Sequence, residues 1–171
     1  IDEVEAERML DHAIESGVTY IDTAYPYHDG ESEPFVGRVL KKYKREDFYL
    51  ATKLPMFKID SLEQAKEIFE EQIKRLDVDY VDFYLLHALN KDTWKKVIDL
   101  NIIPYCEELK KQGRIKNFGF SFHDDYEVFE EIINYRDWDF CQIQLNYIDT
   151  DIQAGMKGYK LTEEKNVPLV I

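Results

Sequence analysis

Four residues combine ionisable chemistry with a place at or just beyond an apolar run: Asp22 and Tyr27 in TYIDTAYPYHDGE, Lys53 in FYLATKL and His87 in YVDFYLLH. A carboxylate, a phenol, an ammonium and an imidazole are the groups that hold or deliver a proton in general acid–base chemistry. A lysine closing the otherwise apolar ATKL is costly to bury unless an opposite charge meets it, and Asp22 on a neighbouring strand is the expected partner. Taken alone, that pair is equally compatible with a structural ion pair. The phenol and the imidazole at matching strand ends favour chemistry. A competing reading takes Asp22, His87 and His123 as ligands of a metal-dependent hydrolase, but Lys53 would then set a cation beside the metal. Tyr25 reads as a packing or pocket-wall residue, His28 as a solvated loop residue that could line the mouth, and His12 as surface.

The elements that must position these residues follow from periodicity. Apolar runs of strand composition occur at 19–24, 48–54, 80–87, 116–122, 140–148 and 167–171, about 30 residues apart, which is the length of a strand plus a crossover helix. Amphipathic stretches lie between them. One begins with Ser61 and Gln64, placed as a capping box, and carries Leu62, Ala65, Ile68, Phe69, Ile73 and Leu76 on one side. Others run from Phe35 to Leu40, from Trp94 to Leu109 with a break expected at Pro104, and from Val128 to Ile133. The chain opens inside a helical pattern with Val4, Leu10, Ala13 and Ile14 on one face, and Gly17 and Gly113 stand where helix C-caps are expected.

No Gly-x-Gly-x-x-Gly follows any of these strands, so a doubly wound dinucleotide fold has no support. The alternating pattern instead predicts an α/β chain of the (β/α)8 barrel type, one domain over residues 1–171. Eight units take ~250 residues, so the barrel is expected to be incomplete, lacking a strand before residue 1 and the eighth unit after residue 171. In such a barrel, polar residues at the C-terminal strand ends face the active site. Asp22, Lys53 and His87 all occupy that position.

Composition narrows the partners. The chain is 44% apolar and 33% charged, the balance of a globular protein. Its 35 acids against 22 bases leave a net charge of −13, which would repel nucleic acid and anionic membrane. Cys106 and Cys141 sit in apolar contexts without metal-ligand spacing, and no apolar segment reads as a signal or membrane span, which suits a reducing cytoplasm.

These motifs together resemble the aldo-keto reductase family. IDTAYPY followed by ESEPFVG matches the family's aspartate with a tyrosine five residues on, placing Asp22 and Tyr27. The lysine of ATKLP matches Lys53 and the histidine of DFYLLHAL matches His87. The resemblance implies that these four form the catalytic tetrad. It also implies that Ser121 in FGFSFH and Gln142 in FCQIQLNY contact a nicotinamide carboxamide, with Asp22 counted in the same cofactor site. Most members have asparagine after that serine, where this chain has Phe122 and then His123. The run GFSFHD is similar to a bacterial and archaeal branch whose longer members carry a C-terminal iron-sulfur domain.

The activity so implied is reduction of an aldehyde or ketone by hydride from NADPH, with NADH as the alternative cofactor. Such a reaction leaves an alkoxide, and Tyr27 would supply its proton, since an ammonium beside a phenol favours loss of that proton. Asp22 would orient Lys53, and His87 would hydrogen-bond the substrate oxygen. Residues that cover the nicotinamide and grip the adenosine phosphates are expected after a seventh and an eighth strand. A non-catalytic nucleotide-binding barrel acting as a redox sensor is the alternative that the same resemblance allows.

Overall fold

In the computed structural model, which describes residues 2–171, six strands form one sheet. They are β1 (Tyr20–Asp22), β2 (Tyr49–Leu54), β3 (Val81–Leu89), β4 (Ile115–Phe122), β5 (Phe140–Ile143) and β6 (Leu169–Val170). Every neighbouring pair is parallel, and the spatial order is the chain order from β1 to β6. A doubly wound sheet reverses its strand order at a switch point, whereas an order that only advances is that of a barrel wall. Here the wall is open, with β1 and β6 at its two edges. The incomplete barrel expected from the sequence is therefore what the chain forms.

Among the described residues seven α-helices accompany the strands: α1 (Glu3–Glu15), α2 (Ser32–Leu40), α3 (Leu62–Leu76), α4 (Lys91–Asp99), α5 (Ile102–Lys111), α6 (Tyr126–Tyr135) and α7 (Gly155–Lys165). None is long and apolar enough to cross a membrane among the described residues. The period of two along each strand separates two cores. Phe118, Phe120 and Phe122 of β4 and Leu50 and Leu54 of β2 face the helices in the larger core, joined there by Phe69 of α3 and Phe129 of α6. Ala51, Leu85 and Phe140 form a smaller cluster on the opposite, inner face. Lys53, His87 and Ser121 alternate with the outer-core residues, so they belong to that inner face.

Local signals explain most boundaries. Ser61 caps α3 by accepting from the Gln64 amide at 3.2 Å, but the Gln64 side chain accepts from Asp60 N at 2.8 Å and not from Ser61, so the expected box closes one residue earlier. Gly17 and Gly113 follow the ends of α1 and α5 with φ of +96° and +75°, in the left-handed region that a helix-terminating glycine supplies.

Three expectations need correction. The break between α4 and α5 falls at Asn101, whose φ is 53°, and not at Pro104. Pro104 sits in the first turn of α5, where its missing N–H forfeits no intrahelical bond, while asparagine tolerates the left-handed backbone that turns the chain. The run 140–148 is strand only to Ile143, because Asn146 folds the chain into a turn by accepting from Ile148 N and Asp149 N at 2.8 and 2.9 Å. On α1, Leu10 and Ile14 are half-buried but Val4 is 83% exposed.

Gly119 of β4 is tightly enclosed on the inner face: a Cβ there would stand 2.4 Å from Phe140 O and 2.7 Å from the Phe140 ring. Gly119→Ala is expected to destabilise the fold by about 1–3 kcal/mol, the cost of overpacking. Urea unfolding would measure it, and an unchanged midpoint would mean that Phe140 does not cover Gly119.

Candidate active site

The site begins where β1 leaves the sheet. Thr23 N still bonds Ala51 O at 3.0 Å, but the chain then turns through Pro26, and Tyr27 N closes the turn onto Ala24 O at 3.1 Å. His28, Asp29 and Gly30 follow with φ of 52°, 57° and 94°, a left-handed run that returns the chain to α2. Two successive non-glycine residues in that region are strained, which is a feature of functional loops.

Lys53 is 2% exposed. Its three ammonium hydrogens have three acceptors: Asp22 Oδ1, Thr23 O at 3.0 Å and Tyr27 Oη at 3.2 Å. The charge is thus paired and its donors are satisfied, the condition under which an ammonium can be buried. The side chain of Asp22 keeps 27% of its exposure and Tyr27 is 37% exposed, so the pair opens toward solvent on the side of the phenol.

His87 lies edge-on to Tyr27, with ring centroids 5.6 Å apart and planes at 76°. Phe57 stands against its other side at 5.6 Å. Burial pushes the His87 pKa down to about 4, helped by the Lys53 ammonium and by His123. The imidazole is therefore neutral at neutral pH, and its Nδ1 is buried without a protein partner. One residue on, Ala88 has φ of 52° and the β3–β4 register slips between Leu86 and Leu89. The Ser121 hydroxyl stabilises this bulge by accepting from Ala88 N at 2.8 Å.

Ser121 pairs in register with Gln142 on β5. The Gln142 Oε1 is buried with no partner, and the Ser121 hydroxyl, having accepted one bond, still has its hydrogen to donate. A free acceptor beside a free donor is complementary to a primary carboxamide, so these two residues fit the amide of a nicotinamide.

Tyr27, Lys53, His87, Ser121 and Gln142 line one cavity of about 140 Å³. Asp22 stands behind it and acts on it through Lys53. Grooves of about 620 and 690 Å³ lie among the outer helices, but none of these residues lines them.

Other expected residues separate from this set. Tyr25 turns away, stacking 4.3 Å from the Arg75 guanidinium and donating to Glu71 at 2.7 Å, so it packs and does not wall the cavity. His12 and His28 are exposed. His123 reaches the cavity rim with Nδ1 3.2 Å from Gln153 Oε1. Among the described residues no group of three or more His, Cys, Asp or Glu side chains is placed to hold a metal ion, so Asp22, His87 and His123 do not converge as ligands. Phe122 is fully buried against Phe129, with centroids at 5.2 Å, so the position after Ser121 supplies core where the resemblance expects a polar contact. Cys141 is a buried free thiol whose pKa burial pushes up to about 12.

Some contributors escaped sequence reasoning. The main-chain oxygen of Thr23 has no signature in a sequence. Gln72 did leave a signal, because Ala65, Phe69, Gln72 and Leu76 share the buried stripe of α3 and a glutamine there must find partners inside.

A family model described as "Aldo/keto reductase family" matches residues 1–171. The protein named "Uncharacterized oxidoreductase YqkF" of Bacillus subtilis (strain 168) is 37% identical over 122 residues, 66% of this chain and 38% of that protein. The "NADH-specific methylglyoxal reductase" of Escherichia coli (strain K12) is 28% identical over 155 residues, 78% of this chain and 45% of that protein. Among solved structures, the holo form of aldo-keto reductase AKR11C1 from Bacillus halodurans superposes with a TM-score of 0.82 at 31% identity, over 99% of this chain and 57% of that one. The chain thus spans less than half the length of these two curated relatives.

The state of His87 has a measurable consequence. Unfolded, it takes a proton near 6.5, whereas folded it stays neutral down to about 4. Between those values the unfolded state binds more protons, so this contribution to stability is complete above about 6.5 and is lost as pH falls toward about 4. Urea unfolding of wild type and His87→Gln across that window should show the wild type losing stability more steeply. Parallel curves would mean that His87 titrates alike in both states.

Proposed function

The chain belongs to the aldo/keto reductase family, and on that premise we propose that it carries the proton-delivery half of a carbonyl reductase, reducing aldehydes or ketones to alcohols with NADPH, or alternatively NADH. The observation that supports this most directly is the Lys53 ammonium shared between Asp22 Oδ1 and Tyr27 Oη at the wall of a cavity that also holds His87. A purely structural ion pair has no need of a half-exposed phenol as its third member.

A nicotinamide, when bound beside Ser121 and Gln142, would supply the hydride for the carbonyl carbon. Tyr27 donates its hydroxyl proton to the carbonyl oxygen as negative charge develops there, so the product leaves as a neutral alcohol. The phenolate left behind is stabilised by Lys53, 3.2 Å away, and regains its proton from solvent, to which Tyr27 is open. Asp22 holds Lys53 in place and balances its charge. His87, neutral because it is buried beside a cation, serves as a hydrogen-bonding guide for the substrate oxygen and not as a proton source. Ser121 would donate to the carboxamide oxygen of the cofactor and Gln142 Oε1 would accept from its NH₂ group, with Asp22 the third residue assigned to the cofactor site.

The partner is a small carbonyl compound. A net charge of −13 disfavours nucleic acid and anionic lipid, and two free cysteines suit a reducing cytoplasm. Methylglyoxal, which the Escherichia coli relative's name specifies, is the first carbonyl to test. A redox sensor on the same scaffold would bind nucleotide but turn over slowly.

NADPH binding by fluorescence and NADPH oxidation with methylglyoxal would be measured on the intact gene product. Tyr27→Phe is expected to lower kcat by roughly 10²–10⁴, the usual worth of a positioned general acid, with NADPH affinity retained. Undiminished turnover in that variant would sink the reading.

A further inference from the structure

On the helix side of β2 lies a polar cluster that the chemistry above does not use. Glu33 of α2, Thr52 of β2, Gln72 of α3 and Tyr84 of β3 are each fully buried there. The Gln72 amide nitrogen lies 2.7 Å from Glu33 Oε1, 3.0 Å from Thr52 Oγ1 and 3.0 Å from the main-chain oxygen of Lys53, so its two hydrogens are shared among three acceptors. Its Oε1 accepts from the Tyr84 hydroxyl at 2.8 Å, and the Thr52 hydroxyl donates to Glu33 Oε1 at 2.6 Å. Arg75, on the next turn of α3, lies 3.5 Å from both Glu33 Oε2 and the main-chain oxygen of Tyr25.

The position of this cluster follows from the early end of β1. Thr23 N takes Ala51 O, which is the last backbone bond between the two strands. Two residues on, the Lys53 carbonyl points to the same side and finds no strand, because the chain has already turned away to carry Tyr27. An orphaned carbonyl inside the protein requires a donor. Gln72 is that donor, Glu33 orients Gln72, and Arg75 ties the same carboxylate to the loop of Tyr25.

We propose that Gln72, oriented by Glu33, is a positioning residue for catalysis: it fixes the Lys53 end of β2 against the loop of Tyr27 and so sets the ammonium-to-phenol contact. This rests on the reading of Tyr27 and Lys53 given above. Burial holds the Glu33 carboxyl above its ordinary range, in keeping with a group that depends on these fixed donors in place of water.

The test compares Gln72→Met, Glu33→Ala and Glu33→Gln with Tyr27→Phe in the same carbonyl assay, together with Phe69→Leu, a change in the neighbouring core that removes an edge-on contact with the Tyr84 ring but none of these hydrogen-bonding groups. Gln72→Met and Glu33→Ala should each lower kcat roughly tenfold to a hundredfold, the cost of displacing a catalytic group by a fraction of an ångström. KM for the cofactor and for the carbonyl should stay within about twofold, since only transition-state placement is lost. Glu33→Gln, which keeps an acceptor for Thr52 and Gln72, should recover most of the turnover. Phe69→Leu should lower Tm without that loss of kcat. A merely structural role predicts that kcat follows Tm alike in all four, and that result overturns the proposal. Should Gln72→Met fail to fold, the Glu33 pair decides, and equal turnover in its two members counts against the proposal. Wild-type turnover in Tyr27→Phe would instead remove the reading itself, and this proposal with it.

Discussion

A single buried charge sets the terms for the whole assembly. The Lys53 ammonium is almost wholly withdrawn from water, and an isolated cation in that position would cost more than the fold could supply. It persists because Asp22 ends β1 beside it and because the turn after Asp22 directs the Thr23 carbonyl and the Tyr27 hydroxyl toward the same nitrogen. The ends of β1 and β2, the turn at Pro26 and the left-handed residues at 28–30 are thus consequences of one requirement. Removing the partner would leave the charge uncompensated, which is the costly way to break such a pair.

The same charge governs its neighbours. Burial, helped by this cation, pushes the His87 imidazole toward its neutral form. His87 in turn is placed by an irregularity, the bulge at Ala88, which the Ser121 hydroxyl stabilises. Ser121 therefore contributes to the placement of the imidazole and also lines the cavity beside Gln142.

The sheet itself is built so that these groups share a face. Alternation sends the phenylalanines of β4 into the helix-side core and leaves Gly119 and Ser121 inside, where the Phe140 ring fills the space that a larger residue at 119 would take. The outer core then reaches back to the site through the polar cluster of Glu33, Thr52, Gln72 and Tyr84. Gln72 and Glu33 replace backbone pairing that β1 gives up in order to deliver Tyr27. A strand that leaves the sheet early creates an unpaired carbonyl, and the helix layer satisfies it.

Periodicity and residue chemistry, both local, were enough to determine the alternation of strands and helices, the glycine ends of α1 and α5, and the placing of Asp22, Lys53 and His87 at strand ends on one face. Boundaries set by competing side chains were not legible: Asn146 ends β5 and Asn101 divides α4 from α5, and in each an asparagine outweighs a longer apolar pattern. Nor could local pattern show the slip at Ala88 or the partners of Gln72. Asp22 and Lys53 are 31 positions apart, and Glu33 and Gln72 are 39 apart. Which face a side chain takes depends on its immediate neighbours along the strand or helix, whereas which group meets it depends on how separate strands align, and only the folded chain makes that decision.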